Sequence, residues 1–194
     1  KKLFVVLAII GVILSTFVTI TYIKPNPVQV VMASSEKYKN EAHTAADGTF
    51  LQWWLVRGWD DDRWKSEFET LKEAGMKYII LAPTAFNSPE NSDDNGSVKT
   101  IFPIERKGYK ILEDQKGQYP DVIDACLKNA QKMGMKVFIG LNFGDDWWKK
   151  SLDGEWVQSR VAEGKVIAEE LWKRYKESYP DAFYGWYWCW EVDN

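Results

Sequence analysis

Two stretches of the chain follow one pattern. Leu71-Lys72-Glu73-Ala74-Gly75-Met76-Lys77 leads into Tyr78-Ile79-Ile80-Leu81, and 59 residues later Gln131-Lys132-Met133-Gly134-Met135-Lys136 leads into Val137-Phe138-Ile139-Gly140-Leu141. In each, an amphipathic run ends at a glycine suited to a left-handed helix cap, and a short apolar strand starts two or three residues later. A helix–Gly–strand pattern used twice, with further strand-like runs outside it, means βα units and a parallel sheet.

The helices have readable starts. Asp60-Asp61-Asp62 can cap the first, whose apolar stripe is Trp64, Phe68 and Leu71. Pro120 suits the first turn of the second, which carries Ile123, Cys126 or Leu127, Ala130 and Met133 on one face. The third is expected from about Trp156 to Tyr179, stopped by Pro180. Expected strands are Thr49–Trp54, Tyr78–Ala82, Lys136–Asn142 and Ala182–Trp190, with a long polar connection from Pro83 to Gln118. The Asn91-Ser92-Asp93-Asp94-Asn95-Gly96 string within it faintly resembles a calcium loop. The position of the bidentate Glu holds Phe102, so it reads as solvated loop.

Alternating strands and helices with long crossovers predict an α/β fold of the (β/α) TIM-barrel type, with about the first four βα units present. Such barrels close at eight strands and typically need about 250 residues. The chain has 194 and no initiator Met, so it reads as a fragment of a longer barrel.

The amino terminus is of another kind. Lys1-Lys2 precedes a largely apolar run over residues 3–23, closed by Lys24-Pro25-Asn26-Pro27. That length can span a bilayer. Val31-Met32-Ala33 is a small-residue cleavage pattern, so residues 1–33 are either a signal anchor or a cleaved signal peptide. Residues 34–47 read as a polar linker and residues 48–194 as the folded domain, placed outside the cytoplasm and secreted or tethered to the membrane through residues 3–23.

Charge and composition narrow the chemistry. Residues 34–194 hold 22 basic against 28 acidic side chains, which argues against nucleic acid as a partner. The single histidine, His43, lies in a polar stretch and reads as a solvated loop residue. A His-dependent triad or multi-His zinc site has nothing else to draw on. Cys126 and Cys189 stand in separate apolar contexts and read as free buried thiols. No metal site and no cofactor is expected. The unusual feature is eleven Trp, several at element ends.

In parallel α/β folds the functional face lies beyond the carboxyl ends of the strands. Those positions hold Trp54, Arg57 and Trp59 after the first strand, and Asn142, Asp145, Asp146, Trp147 and Trp148 after the third. Glu191, Asp193 and Asn194 follow the fourth. Indoles, carboxylates and carboxamides together fit sugars: the flat apolar ring meets the C–H face of a pyranose, and polar groups take its hydroxyls. Strand parity sends Trp186, Trp188 and Trp190 outward under the helices and points Gly185, Tyr187, Cys189 and Glu191 inward. Glu191 is the candidate catalytic acid, with structural ion pairing as its alternative. Trp54, Trp59, Asn142, Asp145, Trp147, Trp148 and Asp193 are candidate substrate contacts. Asp145-Asp146 could equally cap the following turn.

Gly48-Thr49-Phe50-Leu51-Gln52, the helix bearing Trp64, Glu67, Leu71-Lys72 and Gly75, Lys136-Val137-Phe138-Ile139-Gly140-Leu141, and Phe183-Tyr184-Gly185-Trp186-Tyr187 with Glu191 occur here in order. Together they resemble the bacterial domain-of-unknown-function family 4434, a TIM-barrel family similar to the glycoside hydrolases. The resemblance covers about residues 48–194, the amino-terminal half of that domain. It implies hydrolysis of glycosidic bonds by paired carboxylates, with Glu191 as acid/base. Related barrels commonly carry Asn-Glu at this strand end, where this chain has Trp190-Glu191. Their partner carboxylate is on a seventh strand, which this chain does not contain. The competing reading on the same scaffold is a non-catalytic carbohydrate-binding surface protein. A further alternative is a small complete α/β domain with a structural role.

Overall fold

Asp47 closes the entry to the sheet, its carbonyl accepting from the amides of Lys77 and Tyr78. From there the computed structural model describes residues 46–88, 97–114, 116–118 and 120–191. The expectations for residues 1–45, including the apolar segment, most of the linker and His43, lie outside the described residues. So do those for residues 91–96 and for Asp193. Among the described residues no helix is long and apolar enough to cross a membrane.

Strands β1 (Gly48–Gln52), β2 (Tyr78–Ala82), β6 (Lys136–Gly140) and β8 (Phe183–Tyr187) form one four-stranded parallel sheet in the order β1-β2-β6-β8. The crossovers are helices. α1 (Trp53–Val56) is a single turn after β1 and leads to α2 (Asp61–Glu73). In α2 the Asp60 carboxylate caps the Arg63 amide at 2.9 Å, Asp61 and Asp62 complement the first turn, and Trp64 and Phe68 are buried. α3 (Val122–Met133) is capped by Asp121, with Pro120 one residue before the cap, and ends at Gly134 with φ +69°. α5 (Gly154–Tyr175) begins at Asp153, which accepts from Glu155 and Trp156, and stops five residues before Pro180. The two glycines of the repeated pattern, Gly75 and Gly134, both have positive φ, as the sequence requires.

Side-chain alternation divides the sheet. Ile79, Leu81, Val137, Ile139 and Phe183 are buried in one core with Phe68, Ile123, Leu127, Ile167 and Leu171 from the helices. The opposite, concave face carries Phe50, Tyr78 and Phe138, and beyond a register shift on β6–β8 it carries Tyr187, paired with Gly140.

The stretch from Pro83 to Gln118, expected to be irregular, contains strands. β3 (Ala85–Asn87), β4 (Val98–Thr100) and β5 (Tyr109–Ile111) combine with β7 (Asn142–Phe143) into a second sheet, ordered β5-β4-β3-β7. Its β3–β4 pair is antiparallel and its other pairs are parallel. Leu141 separates β7 from β6, so the expected Lys136–Asn142 strand is split between two sheets. Thr84 joins them, its amide and hydroxyl both donating to the Gly140 carbonyl. Phe102 and Ile101, just beyond β4, are buried in the main core, which holds the excursion in place. The fold is therefore mixed α/β with an open parallel sheet. Among the described residues there is no closed barrel, and β1 and β8 are the sheet edges.

Candidate functional site

The carboxyl end of β8 runs into a cluster of rings. Trp190 is 3% exposed, with centroid separations of 5.0 Å to Phe143, 5.5 Å to Trp147 and 5.5 Å to Trp156. Each partner comes from a different element: Phe143 from β7, Trp147 from α4 (Trp147–Lys150) and Trp156 from the first turns of α5. Trp148 lies exposed at the edge, 6.4 Å from Phe143. The cluster walls a cavity of about 180 Å³ formed by Trp147, Trp156, Val157, Arg160, Trp188 and Trp190, with Glu191 exposed at its rim. The Trp190 indole N–H is buried without a protein acceptor.

The other sequence-derived candidates are distributed. Trp54 is half exposed and meets Trp53 edge-on at 6.0 Å, while Trp53 packs on Phe86 at 4.2 Å. Trp59 meets Trp64 edge-on at 4.9 Å under the Arg63 guanidinium, and lines a different cavity of about 270 Å³ beside Asp121 and Asp124. Asn142 is fully buried, and its Nδ2 donates to the Arg160 carbonyl at 3.0 Å, tying β7 to α5. Asp145 is exposed just before α4. The structure thus brings Trp147 and Glu191 to one cavity, leaves Trp148 beside Phe143 at its edge, and sends Trp54 and Trp59 to other partners. Trp188 and Trp190 pack toward α5, as parity predicts: a Cβ on Gly164 would stand 3.6 Å from the Trp188 ring. Glu191, expected on the opposite face, shares their cavity instead, because β8 ends at Tyr187 and strand alternation does not extend to it.

Sequence reasoning missed a polar network behind Trp156. The Glu163 side chain is 10% exposed and accepts from Asn87 Nδ2 at 2.8 and 2.6 Å on its two oxygens. Arg160 Nη1 lies 2.9 Å from Oε2. Burial raises the Glu163 carboxyl above its ordinary range, while the Asn87 hydrogen bond, the Arg160 charge and the Asn142 amide oppose the rise. Tyr109 is raised as well, by burial first and then by the Glu163 charge. These groups line a cavity of about 450 Å³ that shares Trp156 and Arg160 with the aromatic one. Arg160 and Glu163 are three residues apart on α5, a spacing that by itself does not mark a site. The available signal was Gly164, a glycine inside a long helix, where it is costly unless another chain segment approaches closely.

A parallel sheet of βα units carrying its ring-lined cavity at the carboxyl end defines a mixed α/β protein. The chain belongs to the family described as Domain of unknown function (DUF4434), matched over residues 46–194. Its fold is similar to that of a solved structure titled "putative alpha-L-fucosidase" from Bacteroides thetaiotaomicron VPI-5482. The TM-score is 0.54 at 23% identity, over 74% of this chain and 40% of that one. The chain therefore spans 40% of the length of that structure, and the likeness is one of fold. No curated protein matches it in sequence.

Proposed function

We propose that the chain supplies the amino-terminal part of an exported, glycan-active (β/α) barrel, in which Glu191 is the general acid/base of glycosidic bond hydrolysis. The observation that carries this reading is the placement of Glu191 at the rim of a cavity walled by the indoles of Trp147, Trp156, Trp188 and Trp190, just beyond a parallel strand. Indole faces hold the C–H face of a sugar ring, and a carboxyl at the rim can protonate the departing oxygen. Trp148 and Asp145 extend the platform, and Asp193, outside the described residues, is a further candidate contact. Hydrolysis needs a second carboxyl, about 5–5.5 Å away for retention or about 6.5–9.5 Å for inversion. That carboxyl is assigned to a strand beyond the four of the parallel sheet. Export rests on the apolar segment over residues 3–23.

One observation favours the second reading, a non-catalytic carbohydrate-binding protein. Glu191 is the one carboxyl among the described residues of the aromatic cavity. The full-length protein separates the two readings. Wild type and Glu191→Gln are compared on aryl glycosides, beginning with the α-L-fucoside, and on polysaccharides. Loss of about 10²-fold or more in turnover with retained glycan binding supports the acid/base role. Glycan binding without turnover in the wild type leaves the binding reading.

A further inference from the structure

The cavity behind Trp156 is larger than the aromatic one and of different character. Its volume of about 450 Å³ lies within the range of small-molecule sites, roughly 300–1,000 Å³, whereas the aromatic cavity of about 180 Å³ does not reach it. It is built from β3, the turn before β5, the loop before α4, and the face of α5 that carries Trp156, Arg160 and Glu163.

Among the described residues its charges cancel: Lys107 and Arg160 oppose Asp146 and Glu163. A wall without net charge gives no net attraction to a phosphate or a uronate, and it suits an uncharged ligand rich in hydroxyls. The Glu163 carboxylate is held rigid by Asn87 and Arg160, so it is a preorganised acceptor. Tyr109 and Ser97 add hydroxyls, and Trp156 adds an indole. Because Trp156 and Arg160 wall both cavities, a glycan chain can place adjacent units on either side of them.

We propose that this polar cavity is a second sugar subsite, which takes one uncharged pyranose of the glycan whose neighbouring unit lies in the Glu191 cavity. The proposal rests on the glycan reading above and adds the substrate class: a neutral sugar on the side away from Glu191. Glu163 acts here as a binding residue.

The test is saturation-transfer NMR of the full-length protein with free L-fucose as the neutral pyranose and D-glucuronate as the charged counterpart. The proteins compared are wild type, Glu163→Gln, Tyr109→Ala and Trp188→Ala. The expected result is fucose binding that weakens by about tenfold or more in Glu163→Gln and Tyr109→Ala, persists in Trp188→Ala, and exceeds glucuronate binding. Should Glu163→Gln fail to fold, Tyr109→Ala decides alone. Fucose binding lost only in Trp188→Ala overturns the subsite and leaves the glycan reading standing. Tighter binding of glucuronate, or no fucose binding to wild type, also overturns it. Turnover by wild type in that last case still upholds the glycan reading.

Discussion

Phe50 and Tyr187 touch edge to face, with ring centroids 5.3 Å apart at 78°, although they stand on the two outermost strands of the four-stranded sheet. In a flat sheet, three strand spacings would separate them by about 14 Å. The contact therefore requires the sheet to curl around its aromatic face, as the wall of a barrel does. Replacing either ring by Ala should cost about 1 kcal/mol, because Phe50 is already 52% exposed. A double-mutant cycle on Phe50→Ala and Tyr187→Ala, read by denaturant unfolding, should show coupling of about 0.5–1.5 kcal/mol. Strict additivity would mean that the curl does not persist in solution.

Close approach is tested at the glycines. A Cβ on Gly140 would lie 2.8 Å from Ala82 Cα and 2.9 Å from Cys189 Sγ, so Gly140→Ala should destabilise by about 1–3 kcal/mol or more. Gly164→Ala is the sharper case. In an ordinary helix interior that change gains about 0.5–1 kcal/mol. Here the new Cβ would stand 2.8 Å from Asn142 Oδ1, on a buried amide whose other end holds the Arg160 carbonyl. Thermal melts should show a loss rather than the usual gain.

The buried carboxyls set a pH dependence. Burial raises Asp121 above its ordinary value, against the opposing hydrogen bonds from the Asp124 amide and the Tyr175 hydroxyl. A carboxyl raised in the folded state stabilises fully below its unfolded value, and that contribution is lost as pH rises through the folded one. Glu163 acts in the same direction. Their contribution to stability should therefore decline as pH climbs from about 4 toward neutrality. Asp121→Asn keeps a capping side chain for α3 and removes the buried charge, so its melting temperature should fall less over the same range. Parallel profiles for the two proteins would contradict this.

The parallel sheet was legible because its determinants are local. Tyr78–Ala82 was read with its observed bounds, and the glycine caps at 75 and 134 announced the two strands that follow them. β3, β4 and β5 were not legible. Each is three residues long, too short for alternation to show, and each owes its existence to partners across the fold. The same holds for the site. Trp147, Trp148 and Glu191 could be found from their positions after strands, whereas Asn87 and Glu163 are 76 residues apart and meet only because β3 lies against α5. Asn142 shows the converse: a carboxamide at a strand end that looked available for ligand is taken by the backbone of α5.

Acid catalysis by Glu191 is the central claim, and its signature is leaving-group dependence. A variant without the proton donor suffers most when the departing oxygen is basic and least when it leaves unaided. The decisive measurement is kcat/KM of the full-length wild type and Glu191→Gln on two aryl glycosides of one sugar, with a phenyl and a dinitrophenyl leaving group. The account predicts a loss of about 10²-fold or more on the phenyl glycoside and a much smaller one on the dinitrophenyl glycoside. Equal losses on both, or no loss on either, would contradict it.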